Sequence, residues 1–348
     1  MAPLVDANGL KVAGVVAFYM VSALVMVFVN KAVLNNSPDL PLFFLLVQLL
    51  IAVILLHISA LFTKRIEIPT LDVKVAKSLV PVVSVNIIGL VFNTLCLRDV
   101  EASFFQIARG LVLPMTIAVS CAHTRTTPSQ KVVGAAGIVT LGFMLGVAPS
   151  KDLPVSAIPS TLSLIYGVMS SVFIAIHAVL IKSSLPSCNN STIQLAWWTN
   201  AGSAVILLPF VFLHGEPWKL IDLYSNGAWD GRVFLYGSLV TGVFGFLLCV
   251  SGLLSIKVTS PITHMFSSAA RSVLQTLIGV MAFKDILTTN RALSIGTILC
   301  GTMFYTWLKS RENSPASQAP PRRNADVELG STQEERDGLK YDASNEKH

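Results

Sequence analysis

Two arginines, Arg109 and Arg271, stand inside long apolar runs of the chain. A guanidinium at the centre of a bilayer costs about 2.5–3.5 kcal/mol even on insertion scales, so such a residue has a partner or a task. Neither has an Asp or Glu three or four positions away on its own helix. The carboxylates fall instead in loops, near the ends of apolar runs or in the C-terminal tail. A deep cation without a built-in counter-charge is suited to an anionic guest. The planar guanidinium fork matches phosphate oxygens in particular. The same lack of deep carboxylates argues against proton or sodium coupling and for exchange of one anion against another. The bland alternative is an arginine that snorkels to the interface or bonds backbone carbonyls.

Other groups could serve the same guest. Trp197-Trp198-Thr199-Asn200 places adjacent aromatics beside hydrogen-bonding groups, a set able to stack on and read a nucleobase; an interfacial aromatic belt is the competing reading. Asn30-Lys31 ends the first apolar run, where the lysine either contacts phosphate or snorkels. Gln48, Asn86, Asn93 and Gln106 read as amides that join helices, and His57 and His177 as satisfied core histidines. His264 follows Ser260-Pro261 and reads as a cap or a site-rim residue. Nothing points to an enzyme: there is no nucleophile elbow, no His-Glu metal motif, no acidic pair and no phosphate-binding glycine loop. Five scattered cysteines lack metal-ligand spacing, and no cofactor or metal is implied.

These residues need elements to hold them at depth. The chain has 348 residues, 53% hydrophobic and 13% charged, with a mean hydropathy of +0.67. Soluble domains run near 25% charged, so composition excludes a disordered chain and an ordinary cytosolic enzyme. The net charge of +6 is scattered between apolar runs, which argues against nucleic acid. Runs of about 20 apolar residues cross a bilayer as helices. Ten are predicted, at 12–34, 41–62, 78–97, 102–121, 131–148, 159–181, 192–213, 233–256, 260–283 and 291–308. The first is too long for a cleaved signal and reads as a membrane helix.

The predicted fold is therefore an all-α polytopic membrane protein. Residues 1–10 form a short N-terminus, 11–148 a first five-helix repeat, 149–158 a luminal linker and 159–309 a second repeat; 310–348 form a disordered tail, with almost no large apolar residues. Lysines and arginines are more numerous on the side that carries both termini, which places both termini in the cytosol. The repeat rests on Arg109 and Arg271 recurring at matching places in spans 4 and 9. Glycine-rich faces follow in both halves: Gly134, Gly137, Gly142 and Gly146, then Gly296 and Gly301. Halves with an odd number of spans insert in opposite orientations, an inverted repeat of the secondary-transporter kind.

Several stretches resemble the GDP-fucose-transporter branch of the nucleotide-sugar transporters, in the drug/metabolite transporter superfamily. The most specific is Thr259-Ser260-Pro261-Ile262-Thr263-His264, followed by Ser268-Ala269-Ala270-Arg271-Ser272 and Gln275-Thr276; Arg271 stands where that branch has lysine. Val27-Phe28-Val29-Asn30-Lys31, Asn93-Thr94-Leu95-Cys96-Leu97-Arg98, Arg109 and the stretch from Leu208-Pro209 to Gly215-Glu216 are also similar, and the likeness covers about residues 15–309. Trp197-Trp198-Thr199-Asn200 falls on the branch's Phe-Tyr-Asn-Asn stretch and keeps only Asn200, while Ser268 and Ala269 replace a glycine and a threonine.

The resemblance implies ten helices in an inverted five-plus-five repeat. It implies a Golgi membrane, with the ER membrane as the alternative, and exchange of a cytosolic nucleotide sugar for a luminal nucleoside monophosphate. On this reading Arg271, Arg109 and Lys31 meet the diphosphate, with Asn30 beside Lys31. Trp198 and Asn200 hold the base, with Thr199 between them in the site; Ser267, Ser268 and Thr263 meet sugar hydroxyls or phosphate, and His264 stands at the rim. A homodimer stays open. So do a UDP-sugar or phosphorylated-metabolite carrier and a membrane scaffold that transports nothing.

Overall fold

The computed structural model describes residues 7–63, 66–148, 159–227, 229–258 and 261–312, and every described element is helical. The side chains of 7–12, 182 and 249–269 lie outside the described residues, as do the predicted linker 149–158 and the tail beyond Glu312. The helices are α1 (Ala7–Asn36), α2 (Pro41–Phe62), α3 (Val73–Asp99), α4 (Ala102–Gly110), α5 (Val112–Thr124), α6 (Gln130–Val147), α7 (Thr161–Ser184), α8 (Thr192–Leu213), α9 (Glu216–Ser225), α10 (Gly231–Val258), α11 (Pro261–Phe283) and α12 (Thr289–Glu312).

All ten predicted spans fall on helices. On length and apolar content, however, eight stretches among the described residues can cross a membrane: α1, α2, α3, α4 with α5, α6, α7, α8 and α10. The described apolar part of α11, Ala270–Phe283, is shorter. Helix α12 mixes Arg291, Lys309 and Arg311 with its apolar residues. Helix α9 was not anticipated. It is short, and its Trp218, Ile221 and Tyr224 recur three residues apart and are exposed, the pattern of a helix lying at an interface.

The sequence starts these helices with side-chain caps. Asp72, Ser129, Ser160 and Ser191 precede α3, α6, α7 and α8, and each accepts a first-turn amide, from Lys74, Val132, Ser163 and Gln194. Such caps satisfy donors that have no intrahelical partner. Helix α2 starts at Leu40-Pro41 without a cap of its own. Glu216, on α9 and with no exposed surface, supplies one from a distance: its carboxylate accepts from the amides of Phe43 at 2.6 Å and Leu42 at 3.2 Å.

Residues up to Thr306 pack as one unit; α12 beyond it belongs to a second, where Arg311 lies over the Trp307 ring at 4.4 Å. In the first unit α1 lies along α10, and α3 along α7. Close approach depends on glycine. A Cβ on Gly237 would collide with Val33, and one on Gly89 would stand 3.2 Å from Phe173. Of the two predicted glycine faces, Gly142 and Gly146 on α6 and Gly301 on α12 are at such contacts, and Ser294 Oγ donates to Gly142 O at 2.6 Å. Gly134, Gly137 and Gly296 face open space.

Candidate functional site

Arg109 sits where the fourth predicted span breaks. Helix α4 ends at Gly110, Leu111 N turns back to Ala108 O at 3.4 Å, and α5 restarts at Val112. Pro114 accounts for the break, since it has no N–H to offer Gly110 O and its ring crowds that carbonyl. Discontinuous helices of this kind are where transporter sites are commonly built. Half-buried, Arg109 lies with its guanidinium carbon 5.7 Å from the centre of the Phe105 ring. It lines a cavity of about 230 Å³ with Asn86, Gly89 and Asn93 of α3 and Phe173, Ile174 and His177 of α7.

Arg271, on α11, is close enough for its charge to act on Arg109, and the Tyr19 phenol of α1 also acts there. Arg271 Nε is buried with no hydrogen-bond partner among the described residues. Next to it Ser272 Oγ accepts from Gln106 Nε2 at 2.9 Å, which ties α11 to α4. None of the ion pairs among the described residues involves Arg109 or Arg271. Arg109 and Arg271 are thus two like charges within electrostatic reach of each other, an arrangement that an anion between them would relieve.

The other predicted site residues are placed as follows. Lys31 is buried, and its ammonium donates to Leu97 O at 2.9 Å and Arg98 O at 3.0 Å, holding the last carbonyls of α3. Asn30 Oδ1 accepts from Gln48 Nε2 at 2.7 Å, and the same nitrogen donates to Thr241 Oγ1 at 2.7 Å, so α1, α2 and α10 are joined. Trp198 packs in an apolar cluster with Leu79, Val82, Val83 and Trp197. Thr199 Oγ1 and Asn200 Nδ2 both donate to Ala196 O, at 3.0 and 2.7 Å. Thr263, His264, Ser267 and Ser268 are on the α11 backbone, and their side chains lie outside the described residues, as do Thr259 and Ser260 altogether.

Sequence reasoning missed two things. His177 is not the satisfied core histidine expected: its Nε2 is buried without a partner among the described residues, and it lines the Arg109 cavity. Its partner-free state depends on what α3 brings opposite, which local sequence does not reveal. His57 does have a bond, through Nδ1 to Val53 O at 2.8 Å, but it is exposed and not in the core. The second miss is a charged cluster at the start of α4. Arg291, 1% exposed, is ion-paired with Glu101 and donates to Ile286 O at 2.8 Å, while Asp285 accepts from Ser103 N at 2.8 Å. Asp285, Asp99 and Glu101 also act electrostatically on Lys31. These charges read as loop residues because they stand at the ends of apolar runs. The fold gathers the ends of α1, α3 and α11 with the starts of α4 and α12, and buries Lys31, Asp285 and Arg291 there.

Residues 10–306 match the triose-phosphate transporter family. The chain belongs to that family. It is 30% identical over 329 residues to GDP-fucose transporter 1 of Mus musculus, covering 92% of this chain and 89% of the relative. It is 28% identical over 305 residues to GDP-fucose transporter 1 of Dictyostelium discoideum, covering 85% and 80%. A third relative, the Drosophila melanogaster protein named GDP-fucose transporter, Golgi, is 26% identical over 316 residues, covering 87% and 91%. The resemblance read from the sequence therefore stands over most of the chain, and this is a multi-pass membrane protein of a transporter family.

Proposed function

We propose that this protein is an antiporter for an anionic nucleotide sugar, GDP-fucose or a related GDP-sugar, brought into the Golgi lumen in exchange for GMP. The observation that carries the reading is the pair Arg109 and Arg271: two cations at depth, near each other, with no carboxylate partner among the described residues. Arg271 and Arg109 bind the diphosphate. Trp198 and Asn200 hold the base once Trp198 leaves its apolar cluster, and Ser267, Ser268 and Thr263 meet sugar hydroxyls. Lys31, engaged by α3 carbonyls, is left as a structural tether.

The packing supports an inverted repeat of five and five. Under such a repeat the first span exchanges with the sixth and the third with the eighth. The pair α1–α10 then maps onto α7–α3, and these are the two most extensive helix pairings among the described residues. Likewise α2–α10 maps onto α8–α3, and α1–α11 onto α7–α4, and all four pairs are in contact. Two such halves rocking about the Arg109–Arg271 level expose it to one side and then the other. Both termini face the cytosol.

A panel of GMP, UMP, CMP and phosphoenolpyruvate tests the reading on purified protein in detergent. A ligand at a hundred times its Kd stabilises the folded state by about 2.7 kcal/mol, so GMP raises Tm by a few degrees and the others by less. A larger shift with UMP or phosphoenolpyruvate moves the substrate to a UDP-sugar or a phosphorylated metabolite. No shift with any of them refutes the carrier reading.

A further inference from the structure

His177 occupies a defined place along the Arg109 cavity. Helices α3 and α7 run antiparallel with a fixed register. Gly167 lies against Cys96, Ser170 Oγ donates to Asn93 Oδ1 at 3.5 Å, and Gly89 lies against Phe173. Each step back along α3 is matched by an equal step forward along α7, which puts Asn86 level with His177. Both line the cavity. Arg109 lines it too, and its neighbour Ala108 accepts from Ser171 Oγ at 3.0 Å. From the level of Ser171 to that of His177 is six residues of helix, about 9 Å at 1.5 Å per residue.

The third position along this line comes from α8. Asn86 Nδ2 donates to Ser203 Oγ at 3.2 Å, and Gly202 lies against Val83. Trp198 packs with Leu79, Val82 and Val83, about one further turn from Arg109. The order along α3 is thus Arg109, then His177 with Asn86, then Trp198. A nucleotide has the same order of groups: phosphate, ribose, base.

We propose that His177 is a specificity-determining residue whose free ring nitrogen hydrogen-bonds a ribose hydroxyl of the bound nucleotide, with Asn86 beside it. The inference rests on the nucleotide-carrier reading. A hydroxyl is the fitting partner because it both donates and accepts, and so suits either imidazole tautomer. Phosphate oxygens only accept, and Arg109 serves them with several donors. A site built to bond a hydroxyl rejects the analogue that lacks it, because its own buried polar atom is then left unpaired.

Binding of GMP and of 2′-deoxy-GMP, by thermal shift and by displacement of labelled GMP, tests this in the wild type, His177→Phe and His177→Gln. The wild type is expected to prefer GMP tenfold or more. In His177→Phe the preference falls to about one, while displacement by inorganic pyrophosphate keeps its wild-type value; His177→Gln keeps part of the preference. Size-exclusion profiles establish that the variants fold, and if His177→Phe does not, His177→Gln decides alone by a reduced preference. A wild type that binds GMP and 2′-deoxy-GMP equally, or a variant with undiminished preference, overturns the role of His177 and leaves the carrier reading intact. A wild type that binds neither nucleotide refutes the GDP-sugar reading on which the inference rests.

Discussion

At the scale of single residues, the deep cations were legible and their surroundings were not. Arg109 and Arg271 stand out because an arginine in an apolar run is rare and costly. Lys31 and Arg291 carry the same charge, yet they became structural: Lys31 holds α3 carbonyls and Arg291 pairs with Glu101. No local pattern separates the two kinds, since the difference lies in partners far away along the chain. Glu216 is a further case. Burial pushes its carboxyl above the usual range, while the Phe43 and Leu42 amides, His214 and Lys219 pull it down. A raised carboxyl takes up its proton in the folded state before the unfolded chain does, so its contribution to stability grows as pH falls through the raised value. Thermal unfolding in detergent is therefore expected to show the wild type gaining on Glu216→Gln as pH drops from neutral to just above the ordinary carboxylate range. A difference that is flat with pH would mean that Glu216 stays ionised throughout.

At the scale of elements, helices were readable from apolar length. The break in the fourth span, the unexpected α9 and the working half of each glycine face were not. The break comes from Pro114 acting on Gly110, a backbone effect that apolar length does not register. Glycine counts alone did not distinguish contact from open space. A Cβ on Gly146 would stand 2.5 Å from Ser294 Oγ and 2.7 Å from Ile107, whereas one on Gly134 meets nothing within 4 Å. Gly146→Val is predicted to destabilise by about 1–3 kcal/mol, the range for overpacking. Gly134→Ala is predicted to be neutral or stabilising by up to about 1 kcal/mol, the helix-propensity gain. Unfolding midpoints of the two variants check this, and equal effects would contradict the α6–α12 contact.

At the scale of the whole molecule, the sequence pointed to two halves, and α1 lies along α10 as α3 lies along α7. What stayed hidden is register: which level of α3 faces which level of α7 and α8. That register turns Arg109, His177 and Trp198 from separate residues into an ordered line. Transport on this reading depends most on the two arginines holding the phosphate groups of the cargo between them. Exchange of labelled GDP-fucose into GMP-loaded proteoliposomes reads this directly, with wild type, Arg109→Gln and Arg271→Gln reconstituted at equal folded yield. Each charge-assisted contact is worth about 1.5–3 kcal/mol, and tenfold is about 1.4 kcal/mol. Either substitution alone is therefore predicted to lower exchange at least tenfold, and the two together to abolish it. Wild-type rates in either variant would contradict the account.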